Sequence, residues 1–214
     1  MTSILKVDTI QDQSGNNIIN ENAGTITIGK SGDSVNLASG ATAGFGKIGQ
    51  VIQTHYTSTF TKTQSVSVSD ITGFSATITP SSTSSKVLCI VDVNIGFSAT
   101  DLDATDDPYP YLLLLRGATS IGLGAGASSN RINTFLSAPA VPGQQDTKTI
   151  YKILNVSKTY LDSPSTTSAT TYKLQLGNPY GANSTAHINR QHATDDNSYI
   201  QFPSSCLTLM EVLP

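Results

Sequence analysis

Residues 84 to 98, SSKVLCIVDVNIGFS, alternate with period two. Val87, Cys89, Val91, Val93, Ile95 and Phe97 share one face, and Leu88, Ile90, Asp92 and Asn94 share the other. Successive strand residues point to opposite faces, so the run reads as a strand with one face in a core. No window of twelve residues sets apolar side chains at i, i+3, i+4 and i+7 behind an N-cap, so helix is nearly absent. Further strands are predicted at Ile48 to Tyr56, Ser65 to Ser69, Phe74 to Thr79, Tyr111 to Arg116, Ile150 to Leu161, Tyr172 to Gly177, Thr185 to Asn189 and Ser205 to Leu213. β-branched residues favour these runs, and Gly, Pro, Asn, Asp and Ser punctuate the turns between them. Eight to ten strands in about 165 residues predict an all-β chain with an antiparallel jelly-roll sandwich over residues 47–214.

Charge narrows the function classes. Only 13% of the 214 residues are charged, whereas 27 Ser and 28 Thr supply hydroxyls. A typical globular surface carries about 25% charged residues, so this one is built from neutral polar groups. Twelve Lys and Arg against 15 Asp and Glu give a net charge of −3 without a basic stripe. A nucleic-acid partner is therefore not expected, because phosphate neutralisation needs clustered cations. No apolar run approaches the length of a spanning helix, and MTSILKVDTIQDQSG lacks the basic and apolar regions of a secretory signal. No membrane insertion is expected.

Residues 1–46 follow a different rule. Short alternating segments (ILKVDTI, NNII, TITIG, SVNL) are separated by polar turns, and strand–QDQSG–NNII resembles strand–KSGD–SVNL about 18 residues later. Units this short bury no core alone and need stacking or winding around symmetry mates. Intertwining of several chains is the expectation, with Ala38 to Gly46 as a small-residue linker. The closing strand points the same way. In SCLTLMEVL, Leu207, Leu209 and Leu213 share one parity, and Cys206, Met210 and Val212 the other. Two apolar faces imply a second burial partner, so Leu207, Leu209, Met210 and Val212 are candidate subunit contacts, with cover by the chain's own loops as the alternative.

Other patterns carry little chemistry. Gly44, Gly46 and Gly49 spell GxGxxG, but a strand follows rather than the helix a dinucleotide site requires. Gly122, Gly124 and Gly126 read as loop. Asp101, Asp103, Asp106 and Asp107 read as a solvated loop, with a hard cation as the alternative. His187 and His192 fall on opposite faces of a strand by alternation and read, with His55, as exposed or partly buried side chains rather than metal ligands. Cys89 and Cys206 read as buried free thiols, with a single bridge as the alternative. No GxSxG motif, catalytic constellation or cofactor site is expected. Asn155 and Asn183 head sequons, which matter only on a secretory route.

Four stretches resemble one family. LKVDTIQDQSGNNII followed by TITIGKSGDSVNLASGAT, the strand Gly49 to Gln53 (GQVIQ), Tyr160 to Leu176 (YLDSPSTTSATTYKLQL) and Ser205 to Val212 (SCLTLMEV) are similar to structural proteins of tailed phages, notably marine phages and cyanophages. The resemblance implies a homotrimeric virion fibre, assembled in the host cytoplasm, with a tumour-necrosis-factor-like jelly-roll head. Residues 1–46 would join other virion proteins, and the head would meet a host cell-surface glycan or protein. A capsid-decorating fibre or a tail piece without a receptor is the alternative, and a glycan depolymerase a more remote one. Residues 99 to 146 match none of the family's motifs. Within that reading Tyr109 and Tyr111 (DDPYPY), Tyr180 (NPYGAN), Arg190 and His192 are the receptor-contact candidates, because aromatic faces and planar polar groups in loops recognise sugars and protein surfaces.

Overall fold

The computed structural model describes residues 9–11, 13–14, 17–22, 25–28, 47–98, 108–126, 128–138, 152–181 and 184–214. The acidic stretch Asp101 to Asp107, the SVNL segment, the Ala38 to Gly46 linker and Asn183 lie outside the described residues. The chain divides into two compact units, Met1–Gly46 and Lys47–Pro214. In the first, β1 (Thr9–Gln11), β2 (Asn17–Asn22) and β3 (Thr25–Ile28) form an antiparallel three-stranded sheet in that order.

The second unit is an all-β antiparallel sandwich. One sheet has six strands: β4 (Ile48–Tyr56), β14 (Ser205–Val212), β7 (Lys86–Ser98), β13 (Thr185–Ile188) and β5 (Phe60–Thr63) in that order, with β11 (Ile153–Asp162) on the other edge of β7. The other has five: β10 (Leu136–Ser137), β8 (Tyr111–Arg116), β12 (Thr170–Asn178) and β6 (Ser65–Ile78), with β9 (Thr119–Ile121) beside β8. The predicted inner face of β7 is the centre of the core. Val87, Cys89, Val91, Val93, Ile95 and Phe97 are all buried, and most pack in one cluster with Leu112, Leu114, Tyr172, Leu174 and Leu176 of the facing sheet. Removing that apolar area from water is the main favourable term in folding.

The short strands β5, β9 and β10 are not among the predicted ones, and two predicted strands are one: Ser65 to Ser69 and Phe74 to Ile78 belong to a single strand, β6, interrupted by a bulge. Lys173 pairs with Ser75 and Gln175 with Asp70, so four residues of β6 stand opposite one of β12. Gly73 within the bulge has φ +82, a conformation that costs glycine little, and the bend turns both Ile71 and Phe74 inward. Phe74 stacks on Tyr56 with ring centroids 4.6 Å apart.

Two buried carboxylates lock the edges of the sandwich. Asp162, at the end of β11, accepts hydrogen bonds from Tyr172 Oη at 2.6 Å and from Arg116 Nη1 at 2.9 Å to each oxygen. Arg116 also donates to the Ser163 carbonyl, so β8, β11 and β12 are tied across the two sheets. Burial and the neighbouring carboxylate push the Tyr172 phenol upward, so it stays a donor. The family-like YLDSP…TTYK stretch thus supplies an interior fastening through Asp162 and Tyr172. Glu211, on the inward parity of β14, accepts from Ser81 N and Ser81 Oγ at 2.6 Å each and from Gln50 Nε2 at 2.8 Å. A Cβ on Gly49 would come within 2.8 Å of its Oε2, so a larger residue there would displace the carboxylate.

Cys89 and Cys206 are both free. Cys89 faces the core and Cys206 lies on the opposite parity, over Asp92, so the two cannot bridge within the chain. Cys206 is half-buried rather than buried. Burial, with the Asp162 charge behind it, pushes the Cys89 thiol up to about 12, which leaves it inert.

Candidate functional site

Two of the candidate tyrosines meet. Tyr109 lies between Pro108 and Pro110, just before β8; Tyr180 follows Pro179 in the turn after β12. Their ring centroids lie 5.8 Å apart at 67°, an edge-to-face pair, and the side chains remain 44% and 52% exposed. They stand over a cleft of about 300 Å³ whose other lining includes Asn130, Ile132, Thr134 and Ser137. Thr134 Oγ1 and Ser137 Oγ are bonded at 2.9 Å. No Asp, Glu, Lys, Arg or His lines it among the described residues.

The cleft is stiff. Tyr180 sits in a turn whose Ser184 hydroxyl donates to the Tyr180 carbonyl at 2.9 Å, while Gln64 Nε2 donates to the Pro179 carbonyl at 2.9 Å. The opposite wall is pinned by backbone bonds from Phe135 N to Leu112 O and from Ala138 N to Pro110 O, each 3.0 Å. Tyr111 corrects the expectation. It is 6% exposed and forms the floor rather than the contact surface. Its register partner is Gly177, and a Cβ there would overlap the Tyr111 ring, so the glycine is what lets the ring lie down across the sheet. Burial raises the Tyr111 phenol above its ordinary value.

Arg190 and His192 do not line the cleft. They occupy a turn that packs on β7, where a Cβ on Gly96 would run into the Arg190 carbonyl. Asn189, at φ +58, reverses the chain after β13 and donates from Nδ2 to the carbonyls of Tyr56 and Ser58. Alternation therefore stops at Ile188, and His192 folds back onto His187 instead of facing away from it. His187 Nε2 lies 3.0 Å from His192 Nδ1, and His187 Nδ1 lies 2.9 Å from Thr61 Oγ1. His187 is buried, contrary to the sequence reading, while His192 is half-buried. Burial first, then the Arg190 charge, lowers both rings, His187 to about 4. Arg190 donates to the Gln191 and His192 carbonyls, so its guanidinium is spent on its own turn.

The closing strand resolves into two faces with different duties. Leu207 and Leu209 are fully buried in the chain's own core, so they are not available to a second subunit. Met210 and Val212 lie on the outer face, half-buried. There Met210 stands in register between Val51 and Leu88, Leu88 pairs with Leu161, and Val212 pairs with Ile48. Val51, Ile48 and Leu161 are 51%, 47% and 44% exposed, so an apolar strip crosses β4, β14, β7 and β11 in the open. The sequence reading missed Ile48, Val51, Leu88 and Leu161 as members of this strip, although the alternation of β7 had already put Leu88 opposite the core.

Among the described residues no three His, Cys, Asp or Glu side chains are placed to hold a metal ion, and no helix is long and apolar enough to cross a membrane. No family model matches the chain, and no curated protein matches it. The solved structures to which the chain is similar include two of one virus. One is of infectious bursal disease virus, Gt strain, at 12% identity over 85% of this chain and 42% of that one, with a TM-score of 0.37. The other is a mutant VP2 protein of the same virus in derived T=1 particles, at 12% identity over 85% and 41%, with a TM-score of 0.31. The chain spans about two fifths of the length of both. At this identity and TM-score neither likeness says what the chain does.

Proposed function

We propose that the chain is a non-enzymatic structural protein of a phage virion: a homotrimeric tail fibre in which residues 1–46 join other virion proteins and the sandwich meets the host surface. The resemblance of both ends and the YLDSP…TTYK stretch to phage structural proteins motivates the class. The observation that carries the reading is the separation of two surfaces on one rigid sandwich. An apolar strip lies open on the outer face of the six-stranded sheet, and a stiff aromatic cleft opens at Tyr109 and Tyr180. Open apolar strips of this kind mark contact surfaces, and a threefold assembly lets weak sites act together.

Light scattering tests the assembly. A trimer scatters at about 67 kDa, three times the 22.4 kDa chain. Met210→Asp places a charge in the strip and gives a folded monomer; Leu209→Asp buries an unpaired carboxylate in the core, costs several kcal/mol, and unfolds the sandwich. A parent mass of one or two chains defeats the trimer, and a Met210→Asp variant that still assembles removes the strip from its interface. Antibody against the sandwich should decorate purified particles of the encoding virus, and unlabelled particles would defeat the virion assignment.

A further inference from the structure

We propose that the cleft under Tyr109 and Tyr180 binds a neutral saccharide, one or two rings in length. The inference rests on the host-surface reading and names the chemistry of the ligand. Two exposed tyrosine rings from separate segments meet edge to face above a pocket whose walls they do not fill. Such rings offer an apolar face to the C–H face of a sugar and a phenolic hydroxyl at the rim. The polar wall groups, Asn130, Thr134 and Ser137, are an amide and two hydroxyls. Groups of this kind both donate and accept, as vicinal sugar hydroxyls do.

Charge decides against acidic ligands. Among the described residues no cationic side chain lines the cleft, so the carboxylate of a uronic or sialic acid, or a phosphate, would be desolvated without a partner there. Size decides against a long polymer in the site: about 300 Å³ is at the small end of ligand sites. The closest rival in chemistry is a proline-rich peptide, which also favours Tyr- and Pro-lined surfaces. Such peptides dock along extended grooves. This cleft is small, with a single crossed pair of rings, and its size favours the sugar. The floor is set in advance by Tyr111 on Gly177, and the two rims are fixed by Pro110 and Pro179, so little ordering is left to offset on binding.

The test is ligand-observed saturation-transfer NMR on the full chain. The probes are the methyl glycosides of glucose, galactose, mannose and N-acetylglucosamine, with glucuronic acid and a proline decapeptide beside them. At least one neutral glycoside is expected to receive saturation, and glucuronic acid and the peptide none. Tyr180→Ala should weaken that glycoside about tenfold or more with an unchanged circular dichroism spectrum. Phe202→Ala, exposed and outside the cleft, should leave it alone. If Tyr180→Ala does not fold, Tyr109→Ala takes its place. Silence from every neutral glycoside, preference for the acid or the peptide, or a folded cleft variant that binds like the parent overturns the proposal. Binding of labelled parent protein to host cells separates the two readings. Cell binding that needs Tyr180 and survives periodate oxidation of the cells keeps the host-surface reading and rejects the saccharide. Glycoside binding with no cell binding keeps the saccharide site and rejects the host-surface reading.

Discussion

Glu211 offers a perturbation whose size follows from its surroundings. The carboxylate is 1% exposed, and burial alone would raise its pKa. The hydrogen bonds from Ser81 and Gln50 outweigh that and bring it from 4.5 down to about 2. At about 1.4 kcal/mol per pH unit the drop corresponds to about 3 kcal/mol of stability. The folded pKa lies below the unfolded one, so this contribution is present in full above about pH 4.5 and is lost as the pH falls through about 2. In Glu211→Gln the new carboxamide must set its NH₂ either against the Ser81 backbone N–H or against the Gln50 NH₂, both donors, although the Ser81 hydroxyl could turn to accept it. The expected loss at pH 7 is about 2–3 kcal/mol, close to the value of a charge-assisted set replaced by a mismatched neutral one. Urea unfolding at one protein concentration, read by circular dichroism from pH 7 to pH 2, measures it. The gap between parent and variant should shrink toward zero at the acid end. Parallel curves, or a gap under about 0.5 kcal/mol at pH 7, would show that Glu211 is not held by these bonds.

Two further outcomes follow from the interior. Asp162→Ala leaves the Tyr172 hydroxyl and the Arg116 guanidinium without their acceptor, at a cost of about 3 kcal/mol; at about 2–4 °C per kcal/mol for a domain this size, melting should fall by about 6–12 °C, and a fall under about 2 °C would refute the fastening. His187 should hold a neutral ring down to about pH 4 in an NMR titration, and because its folded pKa lies below the unfolded value near 6.5, the stability it permits declines as the pH falls from 6.5 toward 4; a midpoint near 6.5 would place the ring in water.

Much of the architecture is local and was therefore legible. The parity of Val87 to Phe97 names the core face of β7, because a half-buried strand must alternate. The absence of any 3.6-residue period leaves only strands, and turn residues mark their ends. β6 was less legible. The Thr-Gly-Phe step at 72–74 looks like a break between strands, and only its pairing with β12 shows a bulge that keeps one strand intact.

The site depended on what stands opposite. Tyr109 and Tyr111 share a parity and a composition, so no pattern separates them; Gly177 across the sheet draws one ring down, while the other stays with Tyr180, 71 residues away in sequence. His187 and His192 obey alternation on paper, but Asn189 at φ +58 ends the strand between them. The two apolar parities of β14 were visible in the letters. Which parity the chain keeps for itself was not, since Leu209 and Met210 are equally apolar. Sequence by itself determined a sparsely charged, antiparallel β chain, because strand periodicity and composition are read along the backbone. Tertiary structure decided that Leu209 is core, Met210 is surface, Tyr111 is floor and Tyr180 is rim, because burial and cleft formation depend on the register between strands far apart in the chain.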